Sequence, residues 1–241
     1  EQLNDAQEQL VRTEKLAAVG TLASGVSHEL RNPLSAIKNA VFLLKRKLSR
    51  NVIPDIDEKV MQFLDIMDKE IDRSSKIIND LLGFTRVAKP TRLSTDINAV
   101  VNETLTRVEI AENIKLSKDL QSDLPMVMID ANQIGQILIN LIENACQAMI
   151  DGGELKISTK VSESFMAIQI SDSGSGIPEK VLKKIFDPLF TTKASGTGLG
   201  LALCQGIIQK HNGVIDVKSQ EGIGTEMLIK LPLEDKDAGP A

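Results

Sequence analysis

The chain has 241 residues, of which 42% are hydrophobic, and a formal net charge of −5 at pH 7. This length provides for a helical module together with a compact domain. The acidic balance and the absence of Trp and Tyr argue against nucleic acid as a partner, because a phosphate backbone demands basic residues and bases stack on aromatic rings.

No apolar run approaches the roughly 20 residues that span a bilayer, and no signal peptide is visible. We therefore expect a cytoplasmic chain without membrane contact of its own. The sequence begins at Glu1 without Met, inside a helical pattern. We therefore also expect it to be a fragment of a longer protein with a sensor or membrane segment upstream.

An apolar seam predicts one long helix over residues 1–49, and the seam directs His28 to solvent. With Ala23 and Leu30 at heptad position a, His28 falls at position f. The step from Leu30 to the next seam residue adds one position, and Pro33 lacks an N–H, so the helix should bend beside His28. An exposed imidazole is a candidate nucleophile, although inert surface histidines are common.

A second helix is predicted over residues 56–87, after a turn at 51–55, and the charged segment 45–47 is expected to be solvated. The two helices form a hairpin whose apolar seams are too narrow to be buried in a pair alone. We therefore predict a homodimer held together by a four-helix bundle. A purely structural coiled-coil dimer is an open alternative at this point.

Mixed α/β character begins near residue 89, which divides the chain into a hairpin at 1–88 and a second domain at 89–241. Partial alternation of helices and strands favours an α+β fold with a helix layer on a mixed sheet over a doubly wound parallel sheet. Cys146 and Cys204 are expected to be buried, reduced thiols. The predicted elements are helices at 96–108, 131–149, after Pro178 and at 198–210, and strands at 114–120, 126–129, 154–161, 166–172, 214–219 and 225–231.

A strand delivers Asp172 into a loop that contains Gly174 and Gly176. The glycines would let a planar base approach the backbone, while the carboxylate accepts a hydrogen bond from an exocyclic amine, as adenine provides. Each glycine is also explained by an ordinary tight turn.

A second glycine-rich segment, residues 196–201, opens a helix whose free N–H groups suit phosphates. Polyphosphate brings Mg²⁺, which prefers oxygen ligands. Asn140 and Asn144 share one helix face, so an amide oxygen there could bind the metal. Taken singly, each asparagine is as well explained as a surface or capping residue.

Five motifs in this order resemble the cytoplasmic core of bacterial sensor histidine kinases, in which a phosphotransfer hairpin precedes a Bergerat-type ATP-binding domain shared with gyrase-like ATPases. The resemblance covers nearly the whole chain and is closest to the nitrogen-regulator-like subgroup. The motifs are the H box at 27–33, the N box at 140–145, the G1 box at 172–176, the F box at 186–193 and the G2 box at 196–201.

The resemblance implies that His28 attacks the γ-phosphoryl group of ATP and passes it to an Asp in the receiver domain of a response regulator. It assigns Glu29 as the base, although adjacent helix positions do not normally face each other. Asn32, four residues after His28, would orient a water that dephosphorylates the regulator.

The resemblance also implies ATP and Mg²⁺ as cofactors, with Asn144 as the metal ligand. Many members carry Lys where this chain has Gln147, so we expect Lys193 to meet the phosphates. Phe186 and Phe190 are expected to anchor a lid, and His211 to end a helix as a structural residue. The expected nucleotide-binding residues are Asn140, Asn144, Asp172, Gly174, Gly176, Lys193, Thr197, Gly198, Leu199 and Gly200.

Three hypotheses follow for the chain. An autophosphorylating kinase needs both His28 and the nucleotide site, an ATPase that drives conformational change needs only the nucleotide site, and a dimeric scaffold needs neither.

Overall fold

The computed structural model describes residues 34–35, 37–46, 48, 58–85, 89–162, 164–193 and 196–233. The chain divides into two compact units, Glu1–Arg86 and Val87–Ala241. His28, Glu29 and Asn32 lie outside the described residues.

The described residues of the first unit form two helices. Helix α1 is formed by the described residues between 34 and 48, and helix α2 spans Glu58–Thr85. Val41 of α1 is buried with Leu64 and Ile71 of α2, and three partly buried residues pack around them, Leu34, Leu48 and Met61. All of these residues except Met61 belong to the predicted apolar stripes, so the helical hairpin has a small core of its own.

Lys45 was expected to be solvated, but its side chain is partly buried and is paired with two carboxylates. Its Nζ atom lies 2.9 Å from a carboxylate oxygen of Asp65 and 2.8 Å from one of Asp68, and the lysine side chain is only 24% exposed. Hydrogen bonding to the two carboxylates raises the pKa of Lys45, and the same contact lowers the pKa of Asp68. Lys38 pairs in the same way with Asp72, one turn further along α2. Ion pairs therefore link α1 to α2 beside the apolar contacts of the hairpin.

Part of the predicted seam is exposed in the described residues of the single chain. Leu44 of α1 is 49% exposed and Met67 of α2 is 52% exposed. Other large apolar side chains exposed on the two helices are Ile37, Phe42, Leu43, Val60, Phe63 and Ile66. The helical pair therefore covers only one part of its apolar surface.

The second unit is built on a five-stranded mixed sheet in the order β2-β4-β5-β7-β6. Strands β2 and β4 are parallel, and the other neighbouring pairs are antiparallel. This confirms the predicted mixed sheet. The strands are β2 Ile114–Leu120, β4 Gly153–Val161, β5 Phe165–Asp172, β6 Val214–Gln220 and β7 Gly224–Pro232.

Alternation along β5 and β7 produces the apolar face of the sheet. Met166, Ile168 and Ile170 of β5 are buried, while the residues between them are partly exposed. Their partners on β7 are Leu231, Ile229 and Met227, which are also buried. The period of two therefore directs one face of both strands into the same core.

The helices of this unit are α3 Ile97–Arg107, α4 Ala131–Ala148, α5 Glu179–Leu182 and α6 Gly200–Lys210. Helix α4 packs on β5 and contacts both α3 and α6. Asp96 caps α3, as predicted, and Asp130 caps α4 by accepting hydrogen bonds from the N–H groups of Asn132 and Gln133. The helix layer thus centres on α4, whose buried stripe repeats at steps of three and four residues.

The sequence analysis missed one strand, β1 at Leu93–Thr95, which pairs with β3 at Val127–Ile129 to form a small second sheet. Three residues without clear alternation carry no periodic signal. Among the described residues, no helix has the length and apolar content that crossing a membrane requires.

Candidate nucleotide site

Asp172 is the last residue of β5, where it pairs with Thr225 of β7. Its carboxylate accepts a hydrogen bond of 2.9 Å from the N–H of Gly174. Burial raises the pKa of Asp172 above its usual range, against the opposing effect of the N–H groups of Gly174 and Thr225 and of the positive charge of Lys193. The chain therefore compensates the burial of this charge only in part, and a further donor, such as the exocyclic amine of adenine, suits the carboxylate.

The loop after Asp172 is clamped between two parts of the domain. The N–H of Ser175 donates to the carbonyl of Ala148 at the end of α4 (3.0 Å), and the N–H of Gly222 donates to the carbonyl of Ser175 (2.7 Å). Gly176 adopts φ +67°, and a Cβ there would overlap the backbone carbonyl of Gln220. This glycine is therefore required by close packing of the chain against itself, a role that the sequence analysis did not foresee.

Asn140 and Asn144 do share one face of α4, as their spacing predicts. The Nδ2 atom of Asn144 donates to Oδ1 of Asn140 at 2.9 Å. A Cβ on Gly200 would clash with the side-chain amide of Asn140, so the first turn of α6 lies directly on this asparagine. The pair therefore joins α4 to the start of α6.

Lys193 reaches the same helix. Its Nζ atom donates to Oδ1 of Asn144 at 2.9 Å and to Oε1 of Gln147 at 2.6 Å. The N–H of Lys193 donates to Oγ1 of Thr191 at 3.1 Å. The contact between Gln147 and Lys193 was not predicted, because it joins residues 46 positions apart in the sequence.

Gly198 is not part of the helix, which corrects the predicted helix start. Helix α6 begins at Gly200, and Leu199 is its N-cap residue. Gly198 has φ +66°, and its carbonyl accepts a hydrogen bond of 2.9 Å from the N–H of Leu189. Thr197 Oγ1 accepts from the N–H of Leu199 at 3.3 Å. The first N–H groups of a helix have no intrahelical acceptor, so the start of α6 remains suited to an anion.

The chemistry of these residues fits ATP and Mg²⁺. Asp172 provides a polar contact for a base, and the start of α6 with Lys193 provides donors for phosphates. Within the described ranges, no group of three or more His, Cys, Asp or Glu side chains could hold a metal ion. The amide oxygen of Asn144 would therefore share Mg²⁺ with phosphate oxygens and water, which is a common arrangement for this ion.

The segment between α5 and Gly196 carries the F box. Phe186 and Phe190 are only partly buried, and Ile185 is the deeply buried side chain beside them. The burial of Ile185 was not predicted from the sequence, and the lid stays a prediction.

His211 is the C-cap residue of α6 and is 3% exposed. Its Nε2 atom accepts a hydrogen bond of 3.1 Å from the N–H of Asp130, and Nδ1 lies 2.9 Å from the carbonyl oxygen of Ile207. Both contacts fit the neutral ring, and burial lowers the pKa of His211. His211 therefore ends the helix as predicted, and it does so as a neutral ring.

The two cysteines differ in burial. Cys204 is buried, and its burial raises the pKa of the thiol to about 12. Cys146 is only partly buried, so the predicted burial of both thiols is correct for Cys204 alone.

Comparison with known families matches both parts of the chain. Residues 129–235 match the family described as histidine kinase-, DNA gyrase B-, and HSP90-like ATPase. Residues 18–90 match the His Kinase A (phospho-acceptor) domain, a range that includes His28.

The chain is similar to two Escherichia coli K12 proteins. It is 40% identical to the signal transduction histidine-protein kinase AtoS over 95% of this chain and 37% of AtoS. It is 38% identical to the sensor histidine kinase ZraS over 94% of this chain and 48% of ZraS. The chain thus spans half or less of the length of these relatives.

Solved structures of the histidine kinase ThkA are also similar. Its catalytic domain, at 32% identity and a TM-score of 0.54, covers 59% of this chain, and 95% of that domain is matched. ThkA in complex with the response regulator TrrA, at 27% identity and a TM-score of 0.67, covers 97% of this chain and 67% of ThkA. The chain belongs to the bacterial two-component sensor histidine kinases and comprises their phosphoacceptor and ATP-binding domains.

Proposed function

We propose that this chain is an ATP-dependent autokinase that phosphorylates His28 and then transfers the phosphoryl group to an Asp of a response regulator receiver domain. One observation carries the nucleotide part of the proposal. Lys193 contacts Asn144 directly and acts electrostatically on Asp172, so three motifs that are far apart in sequence meet at one site.

The Asp172 side of the site takes the base of ATP. Its carboxylate accepts from the exocyclic amine of adenine, which compensates the burial that raises the pKa of Asp172. Adenine is therefore expected to bind best when the carboxylate is ionised.

The Lys193 side takes the phosphates. The start of α6, with Thr197, Gly198, Leu199 and Gly200, supplies N–H groups, and Lys193 supplies a full positive charge. Mg²⁺, bound through Asn144 and phosphate oxygens, would neutralise charge that develops on the phosphates. Asn140 holds α4 and α6 together beneath this side.

In the reaction, an imidazole nitrogen of His28 forms a bond to the γ-phosphorus, and the bond from that phosphorus to the β–γ bridging oxygen breaks, so ADP leaves. Glu29 is the proposed acceptor of the proton from the other ring nitrogen. Positioning and charge stabilisation dominate such transfers. The match to the phosphoacceptor domain over residues 18–90 supports this role for His28.

The exposed seam of the first unit supports a homodimer. Leu44 and Met67 are about half exposed within the single chain, although both belong to the predicted seams. A second copy that covers them would complete a four-helix bundle. Leu44→Asp is expected to shift the protein from dimer to monomer in analytical ultracentrifugation, whereas Lys69→Asp at an exposed charged position of α2 should leave it a dimer. A dimer that persists in Leu44→Asp would contradict this packing.

The ThkA–TrrA complex supports a response regulator as a partner of this chain. Since ATP and such a regulator meet in the cytoplasm, the proposal places this part of the protein there. We further propose that Asn32 orients a water for dephosphorylation of the regulator. An unchanged rate of regulator dephosphorylation in Asn32→Ala would contradict this role.

The autokinase is tested by incubating the protein with Mg²⁺ and γ-labelled ATP, and measuring acid-labile, base-stable label. The wild type should be labelled, His28→Ala should bind ATP without label, and Asp172→Asn should lose label because ATP binding weakens. ATP hydrolysis without retained label in the wild type would instead identify an ATPase.

A further inference from the structure

We propose that Gln147 is a positioning residue that holds the ammonium group of Lys193 beside the phosphate side of the nucleotide site. The inference rests on the proposed function, since it concerns the phosphates of bound ATP. Gln147 itself need not touch the nucleotide, because it acts through Lys193.

The contact distances assign this role. Oε1 of Gln147 lies 2.6 Å from Nζ of Lys193, and Oδ1 of Asn144 lies 2.9 Å from the same nitrogen. Gln147 is exposed on α4, three residues after Asn144, so the two amides form a fork that points from one helix face to one ammonium. A flexible lysine side chain loses much conformational freedom when it is ordered, and this fork orders it before the nucleotide arrives.

Both groups of the fork are neutral amides. An amide oxygen accepts a hydrogen bond from an ammonium without cancelling its charge, whereas a carboxylate would form an ion pair. Gln147 therefore holds the position of Lys193 without itself cancelling the positive charge of the ammonium group.

Because Lys193 has two acceptors on α4, its position does not depend on Asn144 alone. The oxygen that accepts from Lys193 is the oxygen proposed to bind Mg²⁺, and it cannot serve an ammonium and a metal ion in one place. If Asn144 held the metal ion, Gln147 would remain as an acceptor for the ammonium group of Lys193.

A double-mutant cycle on Mg-ATP affinity, measured by calorimetry, tests the coupling between the two residues. Gln147→Ala should weaken Mg-ATP binding about fivefold, since one charge-assisted hydrogen bond is lost at an exposed position. Adenosine affinity should not change. In the Lys193→Met background, Gln147→Ala should have no further effect on Mg-ATP affinity.

Gln136→Ala is the matched control, because Gln136 is an exposed glutamine about three turns earlier on α4. It should bind Mg-ATP like the wild type. Equal losses in Gln136→Ala and Gln147→Ala, or additive losses in the cycle, would overturn the proposal.

Gln147→Glu tests whether ordering the Lys193 side chain is enough, or whether its positive charge must also be preserved. The carboxylate would hold Lys193 more firmly but cancel its charge and repel phosphate, so Mg-ATP affinity should fall below that of Gln147→Ala. If Gln147→Glu binds Mg-ATP as well as the wild type or better, ordering alone matters and the proposal is wrong.

The cycle also separates this inference from the proposed function. Coupling in the cycle together with an unlabelled wild type would support the inference and contradict the autokinase. Labelling of the wild type together with additive losses would support the autokinase and contradict the inference.

Discussion

The two sides of the nucleotide site are built in different ways. At the Asp172 side, the residues are fixed by the sheet, by the end of α4 and by backbone hydrogen bonds at Ser175 and Gly222. At the Lys193 side, an exposed side chain reaches across to two amide groups on α4. One side is therefore set by backbone packing, and the other by contacts between side chains.

The difference suggests a division of roles within the candidate site. Rigid backbone would recognise the base, and exchangeable side-chain contacts would bind the phosphates. A base must be recognised by shape and by a placed hydrogen bond, which rigid backbone provides. Phosphates must be bound before transfer and released after it, and exposed side-chain contacts are weak enough to break and re-form. Substitutions at the Asp172 side should therefore have larger effects than substitutions at the Lys193 side.

Gly176→Ala is expected to have the largest effect. A Cβ would overlap the carbonyl of Gln220, and φ +67° is strained for alanine. The Asp172 loop should shift, with ATP affinity falling about a hundredfold and the melting temperature falling by about 8 °C. Calorimetry and thermal denaturation measure these two changes.

Gly222→Ala is the matched control for that substitution. Gly222 has φ +76°, but nothing lies within 4 Å of a Cβ there. It carries the backbone strain without the overlap, so it should lower the melting temperature less and preserve ATP binding. Equal effects of the two substitutions would show that packing around Gly176 does not set the loop.

Asp172→Asn is expected to weaken ATP binding about thirtyfold, because the charged acceptor for adenine is lost. In the wild type, the pKa of Asp172 is raised in the folded protein. Ionisation therefore costs stability, and this cost appears as pH rises from the ordinary aspartate pKa through the raised folded value. At neutral pH, the nucleotide-free variant should melt about 2 °C higher than the wild type.

The pH dependence of binding follows from the same shift. As pH falls through the raised pKa of Asp172, the carboxylate is protonated and ATP affinity of the wild type should fall. Asp172→Asn should lack this dependence, which calorimetry over a pH series measures. A wild type and variant with the same pH profile would remove Asp172 from base recognition.

Lys193→Met is expected to weaken ATP binding less than Gly176→Ala or Asp172→Asn, by about tenfold, since an exposed charge is screened by water and salt. The loss should shrink as salt concentration rises, and adenosine affinity should stay the same. Lys183→Met, at an exposed position on the segment before Lys193, is the control and should bind ATP normally. A loss in Lys193→Met that exceeds that of Asp172→Asn would reverse the comparison between the two sides.

Periodicity made most of the fold predictable. Helix α4 and strand β5 bury residues at their expected spacings, because each element has one apolar face that must be covered. Strand β1 was missed because three residues form no period. The start of α6 was misplaced by two residues because Gly198 pairs with Leu189, a contact between distant loop residues.

The site was predictable as a set of residues and less so as a set of contacts. Asn144, Asp172 and Lys193 were identified from motifs, and the structure brings them together in one site. Gln147 was noted only because many members of the family carry Lys at this position. Its partnership with Lys193 joins residues 46 positions apart, and no local pattern reports such a contact.

The sequence by itself determined the helical hairpin, the mixed sheet and the residue types of the nucleotide site, because periodicity, caps and short motifs are local properties of the chain. The tertiary structure alone decided why Gly176 is glycine, why His211 is neutral and which amides hold Lys193. These depend on burial and on contacts between distant segments, which exist only after the chain has packed.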